Sequence, residues 1–482
     1  MTMAGRILKR WLYLTHRWIG IAACLLFAIW FASGLAMVYF PYPSLQRSEW
    51  VAGQAAIDWQ AVRISPAEAA RLSGDVPPRQ VTLEMRGDVP VWRVRDWGGG
   101  ENLFSAVDAM PFGPASSDEA RAIAARFSGM PVAALSQIEN DQWTVAERYG
   151  PHRPLWKAQL DGPDDPHLYI SSATGQVLLD TTRSERVWNW IGTVPHWIYF
   201  TALRENQPAW RQVVLWLSGP AILAAITGIW IGILRLRLGA KRFKGGRMTP
   251  YAGWMKWHHV AGLVGGVPLL LWIFSGWLSV DPGRYFASDG PGLPQQMTYA
   301  GSLLPAEAMD VAALAQIAPD ARRVAVLSAA GKTVLRVERP EGMPIAFDGD
   351  TGAALTTART DLPERLALLF PGAAITSTQM LTAPDAYWYR VRGELPLPVL
   401  RVKLDDDAAT WLHIDPLTGE VLGSRDRKSR LYRWLFDLFH MWDVPFLLER
   451  PLLREAWLWL FSLLGLVTSI SGVWIGWKRL VR

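Results

Sequence analysis

The sequence has one cysteine, Cys24, in 482 residues, and it sits inside an apolar run. A disulfide within one chain is therefore excluded. So are an Fe–S cluster, a cysteine-based zinc site and the C-x-x-C-H attachment of a c-type haem. Charge is scarce as well: Asp, Glu, Lys and Arg make up 19% of the residues and hydrophobic residues 50%, where a soluble chain carries about 25% charged residues. There is no Ser-His-Asp arrangement, no His-Glu-x-x-His, no phosphate-cradling glycine loop and no G-x-G-x-x-G on a strand–turn–helix. The net charge of +6 does not form a nucleic-acid patch, because the basic residues gather beside apolar stretches. A bound metal or cofactor must be held by histidine, by carboxylates or by burial.

What the chain has in excess is tryptophan, 27 in all, a residue that concentrates where membrane meets water. Four stretches are free of Asp, Glu, Lys and Arg: Trp18 to Phe40, Gln212 to Leu234, Trp257 to Val280 and Ala456 to Trp477. Each is long enough to cross a hydrocarbon core of about 30 Å. The first exceeds the apolar region of a signal peptide and no small-residue cleavage site follows it, so it reads as a retained span. Arg6, Lys9, Arg10 and Arg17 precede the first stretch. Seven basic residues and no acid lie between Arg235 and Lys256, and Lys478, Arg479 and Arg482 close the chain. An excess of Lys and Arg marks cytoplasmic segments. The expected order is an N-terminus and first span at 1–40, an external domain at 41–186, and a pre-membrane segment and second span at 187–238. A basic cytoplasmic loop at 239–255, a third span at 256–281 and a second external domain at 282–429 follow. A pre-membrane segment, fourth span and cytoplasmic tail at 430–482 complete it.

The chain also repeats itself. His16-Arg-Trp-Ile-Gly20 aligns with His258-His-Val-Ala-Gly262, and Ser33-Gly34 with Ser275-Gly276, at an offset of 242 residues. Trp190 and His196 align with Trp434 and His440, and Gly228-Ile-Trp-Ile-Gly232 with Gly472-Val-Trp-Ile-Gly476, at an offset of 244. Two tandem homologous halves running the same way imply a pseudo-twofold axis along the membrane normal. The outer segments repeat more weakly: Phe104–Asp108, Tyr169–Gly175, Ala346–Gly352 and Leu412–Gly419 each read as a strand entering a turn. Ser65–Leu72 and Ser117–Phe127 read as short helices, and Val91–Arg95 and Thr333–Val337 alternate as half-buried strands do. The expected fold class is a four-helix transmembrane bundle carrying two external α+β domains.

On His16-Arg-Trp-Ile-Gly20, the Asp/Ser-x-x-Thr-Gly strand ends and the tryptophan-rich histidine segments, the chain resembles the PepSY-associated transmembrane family, which includes iron-regulated membrane proteins and ferric-siderophore reductases. The resemblance implies a bacterial inner-membrane location and external domains of PepSY type. For the reductase branch it implies a haem-dependent transmembrane oxidoreductase. Two b-type haems would carry electrons from a cytoplasmic or quinol donor to a periplasmic ferric siderophore or other acceptor, in iron uptake. Some relatives add a flavin and nicotinamide domain, and this chain has neither the motif nor the length for one.

Of the eight histidines, four hold repeat-related positions: His16 with His258 and His196 with His440. The expected topology puts the first pair near the cytoplasmic face and the second near the external face. A b-type haem needs two axial nitrogen ligands. Pairing within one half is geometrically poor, because a helix rising about 1.5 Å per residue separates His16 from His196 by roughly 20–30 Å. Pairing across the halves gives two six-coordinate irons. His259 competes with its neighbour His258 for the inner site, with the repeat register favouring His258. Arg17, Lys256 and His259 read either as partners of haem propionates or, for the two cations, as ordinary membrane anchors. Gly20, Gly34, Gly262, Gly265, Gly266 and Gly276 admit a flat macrocycle or a close helix equally well. His152 and His167 flank the acidic run Asp161, Asp164 and Asp165, which reads as a solvated loop before an iron site, and His413 reads as a surface residue on a strand. A non-redox membrane-anchored PepSY module that binds or regulates a partner is the second reading. A transporter is disfavoured, because the spans hold no central acidic residue.

Overall fold

The computed structural model describes residues 3–72, 74, 78–239, 242–301, 310–391 and 393–481. Lys241 of the basic loop and Arg482 of the tail lie outside the described residues. Among the described residues three helices are long and apolar enough to cross a membrane: α1 (Met3–Tyr39), α2 (Gln207–Arg235) and α5 (Pro451–Leu480). The apolar stretch expected as one helix at Trp257–Val280 is two helices, α3 (Gly253–Val264) and α4 (Gly266–Leu278), which meet at 68° and are long and apolar enough together for one broken span. Pro268 accounts for the break. It donates no backbone hydrogen bond and its ring crowds the carbonyl four residues before it, while Gly265 and Gly266 lower helix propensity beside it. The repeat-related residues of α1 are Ala23, Cys24 and Leu26, and α1 runs unbroken. α1 packs on both α2 and α5, α5 also packs on α3, and α4 packs on α2.

Among the described residues the strands form three antiparallel sheets. One four-stranded sheet holds β4 (Val132–Ile138), β5 (Leu155–Leu160), β6 (His167–Ser171) and β7 (Val177–Thr181) in that order. A second holds β11 (Ile375–Leu381), β12 (Val399–Leu404), β13 (Trp411–Ile414) and β14 (Val421–Arg425). The third has six strands, three from residues 80–105 and three from residues 323–348. β1 (Gln80–Arg86), β2 (Val89–Arg95) and β3 (Glu101–Ser105) join β8 (Arg323–Ala329), β9 (Lys332–Glu338) and β10 (Ile345–Asp348) in the order β10-β9-β8-β1-β2-β3. The seam is the β1–β8 pair, with Val81 opposite Val326 and Leu83 opposite Val324. Strand alternation turns Val81, Leu83, Trp92, Val324, Val326 and Leu335 into one buried core. The other face carries a ladder of opposite charges. Arg93 pairs with Glu84 at 2.6 Å and Glu101 at 3.0 Å, and Arg323 with Glu84 at 3.3 Å and Glu338 at 3.4 Å. The expected strands Val91–Arg95 and Thr333–Val337 fall inside β2 and β9, and the expected helices appear at Pro66–Arg71 and Ser117–Ser128.

Candidate functional site

Each segment that leads from a four-stranded sheet to a long apolar helix carries a histidine. In the first, a capping box between Thr182 and Glu185 starts the helix Arg183–Ile191. Gly192 breaks it, and a one-turn helix at Thr193–Trp197 carries His196 before Ile198 reverses the chain at φ +53°. In the second, Asp426 caps the helix Arg427–Tyr432. A π-helical turn at Arg433–Leu438 leads to His440, and Trp442 reverses the chain at φ +52°. Ile198 and Trp442 stand 244 residues apart, the same offset as the two histidines.

The four repeat-related histidines form two pairs. His16 on α1 faces His258 on α3 with ring centroids 6.3 Å apart, and His196 faces His440 with centroids 6.0 Å apart. Two imidazoles bonded to opposite sides of one metal by bonds of about 2.0–2.1 Å have centroids roughly 6 Å apart. The Nδ1 of His16 lies 3.0 Å from the Ala224 carbonyl, that of His258 2.9 Å from the Thr468 carbonyl, and that of His196 3.1 Å from the Trp30 carbonyl. A carbonyl only accepts, so each Nδ1 carries the proton and each Nε2 keeps its lone pair. The Nδ1 of His440 lies 3.0 Å from Ser275 Oγ, whose own proton goes to the Trp272 carbonyl, so it too donates. Among the described residues none hydrogen-bonds the Nε2 of these rings. A histidine oriented by its other nitrogen on a backbone carbonyl is the usual state of a metal ligand.

Glycine makes room for the rings of His16, His258 and His196, and less so for that of His440. A Cβ added at Gly228 would stand 2.7 Å from His16 Cε1, at Gly472 3.3 Å from His258, at Gly34 3.1 Å from His196 and at Gly276 3.7 Å from His440. A cavity of about 840 Å³ opens beside His16 and His258, within the roughly 300–1,000 Å³ of cofactor pockets. Gly20, Gly262, Gly265 and Gly266 also line it, and so do the cations Arg17, Arg235, Lys478 and Arg479. Near the His196–His440 pair, the indole N–H groups of Trp30, Trp442 and Trp457 are buried without partners among the described residues. Buried donors of this kind suit an acceptor-rich ligand.

His258 is the residue of its pair of neighbours that meets His16. His259 sends Nε2 to the Gly232 carbonyl at 3.0 Å and lies edge-on to Tyr251, leaving a buried Nδ1 at the cavity wall. Arg17 is exposed at the cavity rim, whereas Lys256 is exposed and does not line it. Sequence reasoning passed over Arg235, Lys478 and Arg479 as site residues because their charge was already explained as membrane anchoring. It also missed the carbonyls of Ala224 and Thr468, which leave no mark in side-chain identity.

His413 does not lie on the surface. It is fully buried in β13, accepts from Arg401 Nε at 2.9 Å and stacks on Trp388 at 4.5 Å. Burial, then the Arg401 charge, holds its pKa down to about 4, so it stays neutral. His167 faces Asp165 at 3.5 Å, and burial, then Arg186 and Lys157, lowers its pKa to about 4. His152 lies 3.2 Å from Ser171 Oγ. Among the described residues no three of His, Cys, Asp and Glu converge to hold a metal ion.

The sequence model of the family described as PepSY-associated TM region matches residues 13–337. No curated protein matches the chain.

Proposed function

The chain belongs to the PepSY-associated TM family, and on that premise we propose that it is a transmembrane electron carrier holding two b-type haems. His16 and His258 would be the axial ligands of one, His196 and His440 those of the other. The observation that carries this reading is the shared state of the four rings. All sit in facing pairs near 6 Å, and all spend Nδ1 on a neighbouring helix, which leaves Nε2 to bind iron. When bound, haem supplies reversible one-electron transfer, and the protein's part is ligand orientation, burial and potential. Arg17, Arg235, Lys478 and Arg479 would neutralise propionates at the inner site, and the unpartnered indole N–H groups would hold them at the outer one.

In this reading α3 and α4 together make one bent span, giving four spans in two tandem halves. The three basic regions lie in the cytoplasm of a bacterial inner membrane, and the sheets lie in the periplasm. Along α1, His16 and Ser33 stand about 25 Å apart at 1.5 Å per residue, so the two pairs divide the membrane between them. Electrons would enter from a cytoplasmic or quinol donor and leave to an external acceptor. A ferric siderophore is the acceptor we propose, because reduction to Fe(II) weakens its hold on hard oxygen ligands. The test is loss by ligand: His16→Ala and His440→Ala should each remove one haem of two, read by pyridine haemochrome. Retention of both haems in either variant sinks the assignment.

A further inference from the structure

The second half holds its outer histidine with charges that the first half lacks. Arg433 is 1% exposed and opens the π-helical turn before His440, and Asp443, fully buried, closes the segment after it. Arg433 Nη1 lies 2.8 Å from Asp443 Oδ1, and Nη2 donates to the Asp443 carbonyl at 3.0 Å. The Tyr389 hydroxyl donates to the other carboxylate oxygen, and its ring lies 4.6 Å from the guanidinium. Phe436, inside the turn so enclosed, stacks on the His440 ring at 5.2 Å and 20°. A π-helical turn is rare and gathers at functional positions. A buried ion pair adds little net stability once desolvation is counted, and its best-attested use is to specify one geometry.

The same charges reach outward. Arg433 Nε donates to the Ala386 carbonyl at 2.8 Å. The loop bearing Ala386 and Tyr389 is pinned by Asp385, which pairs with Arg401 of β12 at 2.8 Å, and Arg401 donates in turn to the buried His413 of β13. At the offset of 244 residues, the first half has Asn189 for Arg433, Tyr199 for Asp443 and Val145 for Tyr389. There the contact is neutral: the Gln142 side chain donates to the Tyr199 carbonyl at 2.5 Å and accepts from the Thr201 hydroxyl at 3.0 Å.

We propose that Arg433, Asp443 and Tyr389 form a positioning clamp that sets the orientation of His440 and ties it to the sheet β11–β14. The two imidazoles of the outer pair are thereby held unequally, His440 through charges to the sheet β11–β14 and His196 through neutral contacts to the sheet β4–β7. This rests on the haem reading above.

The test is a potentiometric titration of the purified holoprotein, followed by visible and low-temperature EPR spectra, in Asp443→Asn, Tyr389→Phe and Arg433→Lys. In Asp443→Asn the redox equilibrium constant of one haem should change about tenfold, 59 mV for one electron, while the other haem is unmoved. Tyr389→Phe should shift the same haem in the same direction by less. Arg433→Lys, which keeps the charge and loses the fork, should fall between wild type and Asp443→Asn. If Asp443→Asn fails to assemble, Tyr389→Phe decides, since it removes one hydroxyl. Unshifted potentials in a two-haem protein, or equal movement of both haems, overturn the clamp alone. A wild-type protein without haem overturns the functional reading and the clamp with it.

Discussion

Glycine spacing sets how far each histidine ring can move. Alanine at Gly228 would put a methyl 2.7 Å from His16, and the ring would have to leave its Ala224 carbonyl. Displacing such an orienting contact weakens metal binding by about 10–100-fold. Gly228→Ala should therefore empty the inner site while the outer one stays filled. Gly276→Ala, with 3.7 Å to His440, should keep both, as haemochrome titration would show. Asp180 in β7 offers a separate residue-level test. Burial, then the charges of Glu49 and Glu185, raises its pKa to about 6, above about 3.9 for an unfolded Asp. The folded state thus binds this proton more tightly, and the stability it contributes at low pH is lost as pH rises through about 6. Asp180→Asn should raise stability at pH 7.5 by about 1 kcal/mol after solvent screening and change nothing at pH 3. Thermal unfolding at the two pH values checks this. At this scale the four paired histidines were legible, because they recur at offsets of 242 and 244 residues beside matching glycines and tryptophans. The tautomer was not, because it depends on backbone carbonyls of partner helices.

The six-stranded sheet makes one element out of two distant segments. Leu83, with no exposed surface, sits at the β1–β8 seam opposite Val324. Leu83→Ala should cost about 2–5 kcal/mol. Because the core is shared, amide-exchange protection should fall in β1–β3 and β8–β10 together. A loss confined to β1–β3 would mean that the seam carries little. Alternation in β2 and β9 told which residues turn inward, but it names no partner strand, so the seam had no signature. The break between α3 and α4 did have one, in Gly265, Gly266 and Pro268. Freedom from charge marks a stretch as apolar but does not say whether its helix is continuous.

For the whole molecule the account requires one orientation and one path. Reporter fusions after residue 10, between 242 and 250, and at the C-terminus should all report the cytoplasmic side, and fusions in either outer segment the opposite side. Composition made the membrane legible, since charge-free runs follow directly from the cost of burying charge in lipid, and the side on which the sheets lie is what the fusions test. The proposed function is less legible in a sequence, because a non-covalent haem would need no motif beyond histidines whose free nitrogens meet across helices. The most direct measurement is the reduced-minus-oxidised visible spectrum of the detergent-purified protein, expressed with ample haem and quantified by pyridine haemochrome. Two b-type haems per chain with low-spin bands of bis-histidine ligation are expected. A protein that folds and carries no haem contradicts the haem reading and leaves a membrane-anchored PepSY binding module in its place.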